Sequence, residues 1–203
     1  MKTKIKSKPR TNCIFAALIT FGALFASTIA SSTTLVRMSV AQMTQAAQLV
    51  VRVRCVSNST AWDAGEIWTF TSFAVEETWK GSQSASSNSV LTVRLLGGTI
   101  GNLTSTVSGI PRFVPGEDVI LFLEPTTRSD YSVVSWIQGT FRIRRDPRSG
   151  GPLAMQDTAS FDTFDRAARQ FHATGLHNIA VEDLRSLVSA AIATDSNRIR
   201  GVK

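Results

Sequence analysis

Six apolar-rich segments, 49–56, 66–80, 90–96, 119–123, 131–138 and 141–145, follow one another with turn chemistry every 8–15 residues. No helical segment lies between them. A strand that returns parallel to its neighbour needs a crossover of a dozen or more residues, usually a helix. The pattern therefore predicts a mainly β domain over 35–145, an antiparallel sheet closed or partly closed into a barrel. Residues 49–56 alternate Val with Arg, as a strand with one buried face should. Residues 119–123, VILFL, are continuously apolar and read as a central strand. In 66–80 the large apolar residues change phase between Trp68 and Phe70 on one side and Phe73 and Val75 on the other. Either both faces are covered or a bulge near Thr71-Ser72 bends the strand.

Helices flank this core. Ser39 and Gln42 form a capping box, with Met38 and Met43 placed as a hydrophobic staple, so a short helix is expected over 40–47. Residues 146–160, polar with Pro and Gly, read as a linker. Phe161, Phe164, Ala168 and Phe171 lie at helical spacing and predict a helix over 161–173. Val181, Leu184, Leu187, Val188, Ala191 and Ile192 predict a second, with Glu182 and Asp183 at the positive end of its dipole. The expected C-terminal helical appendage is 161–195, followed by a frayed basic tail over 196–203.

The N-terminus carries an address. Lys2, Lys4, Lys6, Lys8 and Arg10 precede an apolar run of 14 residues, 13–26, and a small-residue stretch ending at Ala30. This is the layout of a signal peptide over 1–30, cleaved after Ala30. The run spans roughly 21 Å as a helix, short of a hydrocarbon core of roughly 30 Å. An uncleaved N-terminal anchor is the alternative, and no later run is apolar enough to span a membrane. The expected location is secreted or periplasmic. Of the net charge of +7, five positive charges belong to this segment; without it 17 basic residues face 15 acidic ones, a balance of +2. That near-neutrality argues against a nucleic-acid partner, although Arg52, Arg54, Arg94, Arg142 and Arg144 with Trp68 or Trp136 could line an outer strand face. The 43% hydrophobic content excludes a disordered chain. Past the signal only Cys55 remains, in phase with Val51 and Val53, so it is expected buried and unpaired.

Residues 49–56, followed by a strand ending Glu77-Thr78-Trp79-Lys80-Gly81, resemble the opening of netrin-type domains, OB-like barrels whose best-known members are the tissue inhibitors of metalloproteinases. The stretch Leu96-Gly97-Gly98, Gly101, Val107, Gly109, Pro111-Arg112-Phe113, Pro115-Gly116-Glu117, Val119 and 121–123 is similar to secreted bacterial proteins with no assigned activity. The resemblance covers roughly 35–145 and implies an OB-like fold. The metalloproteinase inhibitors chelate zinc through an N-terminal cysteine, and the expected mature N-terminus here is Ser31-Ser32-Thr33. That mechanism does not carry over.

Catalytic chemistry finds little footing. His172 and His177 lie five apart, without the His-Glu-x-x-His spacing of a zinc site; a site with Asp165 is a weak alternative. No nucleophile elbow or phosphate-binding glycine loop is present. Glu76-Glu77 and Glu117-Asp118, adjacent on strands, are expected to point to opposite faces as solvated charges. Asn58-Ser59-Thr60 and Asn102-Leu103-Thr104 match the glycosylation sequon. No catalytic residue, metal ligand or cofactor is assigned. The expectation is a non-enzymatic binding module for a protein or cell-envelope component; the alternatives are an extracytoplasmic hydrolase and a protease-inhibitor-like module without the chelating cysteine. The interaction surface is expected on the loop 97–116, through Gly97, Gly98, Gly101, Arg112, Phe113, Pro115 and Gly116, with a short extra strand near 105–108. Long loops in compact domains are usually functional or disordered. This one is rich in apolar residues that need burial.

Overall fold

The computed structural model describes residues 35–81, 89–157, 163–165, 169–172 and 175–200. The expected signal peptide lies outside them. The chain opens with strand β1 (Leu35–Val36) and helix α1 (Val40–Ala46). The long strands β2 (Leu49–Asp63), β3 (Glu66–Lys80) and β4 (Val90–Leu96) follow. A small hairpin, β5 (Gly98–Ile100) and β6 (Leu103–Ser105), precedes β7 (Asp118–Pro125) and β8 (Tyr131–Val133). Then come β9 (Thr140–Arg145), β10 (Pro152–Gln156), β11 (Thr163–Asp165), β12 (Gln170–His172) and β13 (Ile179–Ala180). Helix α2 (Val181–Arg200) ends the described chain.

Five strands pair in a ring. β2 pairs with β3, β3 with β4, β4 with β8, β8 with β7, and β7 with β2. The expected all-antiparallel sheet is corrected here, because β4 and β8 run parallel at Val93 and Tyr131. The reason is geometric. A closed ring with an odd number of strands cannot alternate direction at every step, so one pair must be parallel. The larger sheet continues beyond the ring, in the order β7, β9, β10, β13.

β8 and β9 share one edge of β7. β8 pairs with 123–125 and β9 with 119–121. The chain steps between them through a 3-10 turn, Trp136–Gly139, with Ser135 and Trp136 both left-handed at φ 49° and 54°. The single strand expected over 131–138 is therefore a three-residue strand and a turn. Gly139 is required in it, since a Cβ there would lie 2.3 Å from the Val134 carbonyl oxygen.

The alternation of side chains produces two cores. Val51, Val53, Cys55, Phe73, Val75, Val93, Val119, Leu121 and Leu123 fill the ring interior. Val50, Ile120, Phe122, Phe141 and Ala154 point the other way and pack under α1 and α2 through Met43, Val181, Leu184 and Val188. The apolar run of β7 is thus buried on both faces. The Ser39–Gln42 capping box is formed, with Ser39 N donating to Gln42 Oε1 at 2.8 Å. The other end of α1 is closed by Lys80, whose Nζ donates to the Thr44 and Ala47 carbonyls at 2.6 Å each. Gly81 follows at φ +114°, where a Cβ would meet Leu49 Cδ1 at 2.7 Å. The Lys-Gly pair at the end of β3 therefore has a structural role: it docks α1 on the sheet.

The phase change in β3 has a simple origin. Ile67, Thr71, Phe73 and Val75 are buried on the inner face throughout. Trp68 and Phe70 lie on the outer face under Arg94, whose guanidinium carbon is 4.1 Å from the Trp68 ring centroid. Both faces are covered. The pairing with β2 also breaks register at three points, one of them between Cys55 and Ser57, opposite Phe73 and Ser72.

Three expectations after residue 145 are corrected. The linker contains β10, which pairs with β9 in register Leu153 with Arg144. The Pro and Gly residues make a hairpin, in which Asp146 accepts from the backbone of Arg148 and Ser149. The helix over 161–173 is replaced, at its described residues, by β11 and β12, with Phe164 opposite Phe171. Aromatic residues seven apart fit a helical stripe and a short hairpin equally well. The helical appendage thus reduces to α2, which runs on through 196–200 because no breaker precedes Gly201.

Candidate functional site

The β2–β3 ribbon extends past the last β7 partner of β2, Arg54, to the hairpin at 64–65. Its inner face turns polar there for two pairs before the apolar tip. Asn58 lies opposite Thr71, Thr60 opposite Thr69, and Trp62 opposite Ile67. The segment 97–117 folds back over this polar continuation and closes that end of the ring. Gly98, at φ +143°, packs so closely that a Cβ would meet Thr69 Oγ1 at 2.6 Å and Thr60 Cγ2 at 2.8 Å. Gly97 donates its N–H to the Ile67 carbonyl at 2.7 Å. The expected extra strand is realised as the β5–β6 hairpin, whose second strand, Leu103–Ser105, lies slightly before the predicted 105–108.

Phe113 is the anchor of this segment. It is 6% exposed and meets Phe73 edge to face, with centroids 5.0 Å apart. Asn58 Nδ2 donates to its carbonyl at 2.8 Å, and Arg142 donates to the Arg112 carbonyl at 2.8 Å. Between ribbon and segment lies a cavity of about 240 Å³, lined by Asn58, Thr60, Thr69, Thr71, Gly98 and Arg112 among others. Arg112 is exposed at its rim and makes one long contact, 3.4 Å, to the Ser105 carbonyl.

Of the predicted loop residues, Gly98, Arg112 and Phe113 line this cavity, and Gly97 adjoins it through its carbonyl, which accepts from Thr69 at 2.7 Å. Gly101, Pro115 and Gly116 do neither. Gly101 turns the β5–β6 hairpin, and Pro115-Gly116 forms the turn that returns Gly116 N–H to the Cys55 carbonyl at 2.8 Å. Asn58, Thr60, Thr69 and Thr71 were not anticipated. The signal was present: the inward row of β2 and β3 turns from Val and Phe to Asn and Thr while the strands continue.

The outer arginines are largely neutralised. Arg52 pairs with Glu76, Glu77 and Asp118, Arg54 with Glu76 and Asp118, and Arg94 with Asp63. Glu76 and Glu77 were expected on opposite faces; the register break between Arg52 and Val53 skips Glu76 and lets both reach Arg52. The Glu76 hydrogen bond holds the Arg54 guanidinium above its usual range, and the Arg94 hydrogen bond holds Asp63 low. Arg142 bridges Glu117 and Asp157. Cys55 is buried and unpaired, and burial raises its thiol pKa, with Glu117 adding to the effect.

A second cavity, about 720 Å³, is lined by 36–42, Gln156, Leu176 and Leu187. Gln156 and Leu176 stand within two residues of segments outside the described residues. Among the described residues no group of three or more His, Cys, Asp or Glu is placed to hold a metal, and no helix is long and apolar enough to cross a membrane. His172 falls in β12, and His177 is exposed before β13. Comparison of the chain with protein-family models and with curated proteins finds no match.

Proposed function

We propose that this chain is an exported, non-enzymatic binding module on an OB-like barrel, and that it engages a protein or cell-envelope component at the ring end closed by 97–117. One observation carries the reading. The segment 97–117 builds, over the β2–β3 ribbon, a cavity walled by amide, hydroxyl, backbone and guanidinium groups. Such groups hold and orient a ligand. A side chain that shuttles a proton near neutral pH is not among the lining residues.

The OB-like reading is supported by the five-strand ring and by its single parallel pair, which joins the third and fifth ring strands in chain order. The netrin-type kinship rests on the strand pair ending in Trp79-Lys80-Gly81. Export rests on the basic, apolar and small-residue layout of 1–30. The paired outer arginines leave little free positive charge for a phosphate backbone.

Intact mass of the exported protein tests the address: a chain starting at Ser31 is expected, and a mass retaining 1–30 overturns cleavage. A photo-crosslinking side chain placed at position 112, with position 54 as control, tests the site in cells that export the protein. Adducts from 112 alone are expected. Adducts from 54 alone, or from neither, overturn the assignment.

A further inference from the structure

We infer that the cavity under 97–117 takes one ring of a neutral sugar belonging to a longer glycan; this rests on the reading that the ring end is a binding site. The hydrogen-bond inventory of the cavity decides the ligand class. Thr60 Oγ1 donates to the Thr99 carbonyl at 2.8 Å and Thr69 Oγ1 to the Gly97 carbonyl at 2.7 Å. A hydroxyl has one proton, so both oxygens offer only lone pairs to an occupant. Thr71, fully buried behind them, donates to Asn58 Oδ1 at 2.7 Å and fixes that amide. Asn58 Nδ2 spends one proton on the Phe113 carbonyl and keeps another. Arg112, with no carboxylate partner among the described residues, supplies further donors at the rim.

The occupant must therefore bring donors to the threonine wall and acceptors to the rim. A carboxylate or phosphate brings acceptors alone and faces the threonine lone pairs. An ammonium brings donors but stands beside the Arg112 charge. A neutral hydroxyl is donor and acceptor at once. Leu95, Leu96, Ile110 and Pro111 complete the walls and suit the C–H face of a sugar ring. The volume, about 240 Å³, is below the roughly 300–1,000 Å³ typical of pockets for drug-sized ligands, which limits the occupant to a single ring. Trp62 continues the inward row of Asn58 and Thr60 and is 54% exposed. It offers a stacking surface to the next ring of the chain.

The test is binding of the exported protein to an immobilised panel of neutral, N-acetylated and acidic glycans, followed by titration with the best neutral or N-acetylated member. Saturable capture of neutral or N-acetylated glycans is expected. Thr60→Val and, separately, Trp62→Ala should each weaken it at least tenfold, while Arg54→Ala leaves it unchanged. Trp62 is exposed, so its variant keeps the test valid if Thr60→Val fails to fold. No capture, capture of acidic glycans alone, or capture indifferent to both variants overturns the inference. If adducts still form from position 112 in that event, the site assignment survives and only the sugar is wrong. If they do not, both fall.

Discussion

Phe113 and Arg112 are neighbours with opposite roles, and replacing each with alanine separates them. The Phe113 ring is buried in the ring interior, edge-on to Phe73 at 5.0 Å. Deleting a buried phenylalanine ring costs about 3–5 kcal/mol, of which the aromatic pair accounts for roughly 0.5–1.5 kcal/mol. At roughly 2–4 °C per kcal/mol for a chain of this size, Phe113→Ala should lower Tm by about 6–20 °C. Arg112 is exposed and its side chain makes one long contact, 3.4 Å, among the described residues, while its carbonyl bond from Arg142 survives in alanine, so Arg112→Ala should stay within about 0.5 kcal/mol of wild type. Urea unfolding followed by tryptophan fluorescence, with thermal melts by circular dichroism, measures both. A loss below about 1 kcal/mol for Phe113→Ala would mean that 97–117 does not seal the ring. A loss above about 2 kcal/mol for Arg112→Ala would make it a structural residue with no rim left for a ligand.

Gly98→Ala combines a left-handed φ with a Cβ 2.6 Å from Thr69 Oγ1, so it should cost well over the roughly 1–2 kcal/mol that φ alone costs Gly101→Ala in open space; paired melts of the two variants check the order. Lys80→Met removes two charge-assisted bonds to the α1 carbonyls and should destabilise by roughly 1.5–3 kcal/mol, with increased amide exchange in Val40–Ala46. Cys55 should react with a thiol reagent only after denaturation, and rapid labelling of the native protein would contradict its burial. Its raised pKa means that its contribution is fully present below the unfolded value, about 8.5, and is lost as pH rises toward the folded value. The stability advantage of wild type over Cys55→Ala should therefore shrink in alkaline urea titrations.

The ring strands were legible because period-two alternation and continuous apolar runs record burial directly. Residues 66–80 and 90–96 match their strands to the residue, and the capping box placed α1. Closure was anticipated, but the parallel pair that makes it was not legible. Whether the last partner of β4 runs parallel depends on how many strands the ring holds, and of the six predicted segments the last, 141–145, lies outside it as β9. The break at Ser135-Trp136 was hidden because Val133, Val134 and Ile137 continue an apolar run through it. The hairpin of Phe164 and Phe171 was misread because spacing alone cannot distinguish two facing strands from one helix turn set. At the site, Arg112 and Phe113 stood out through their flanking prolines. The threonine wall did not, because an apolar-to-polar change along a strand resembles an ordinary strand end.

Amide hydrogen exchange of the exported protein, with and without soluble material from the cell envelope, tests the placement of the site most directly. The account predicts slowed exchange confined to the residues around the cavity, foremost in three segments, 58–62, 97–100 and 110–113. Slowing on α1 and α2, or on the outer face around Arg52 and Arg54, with those three segments unchanged, would contradict it.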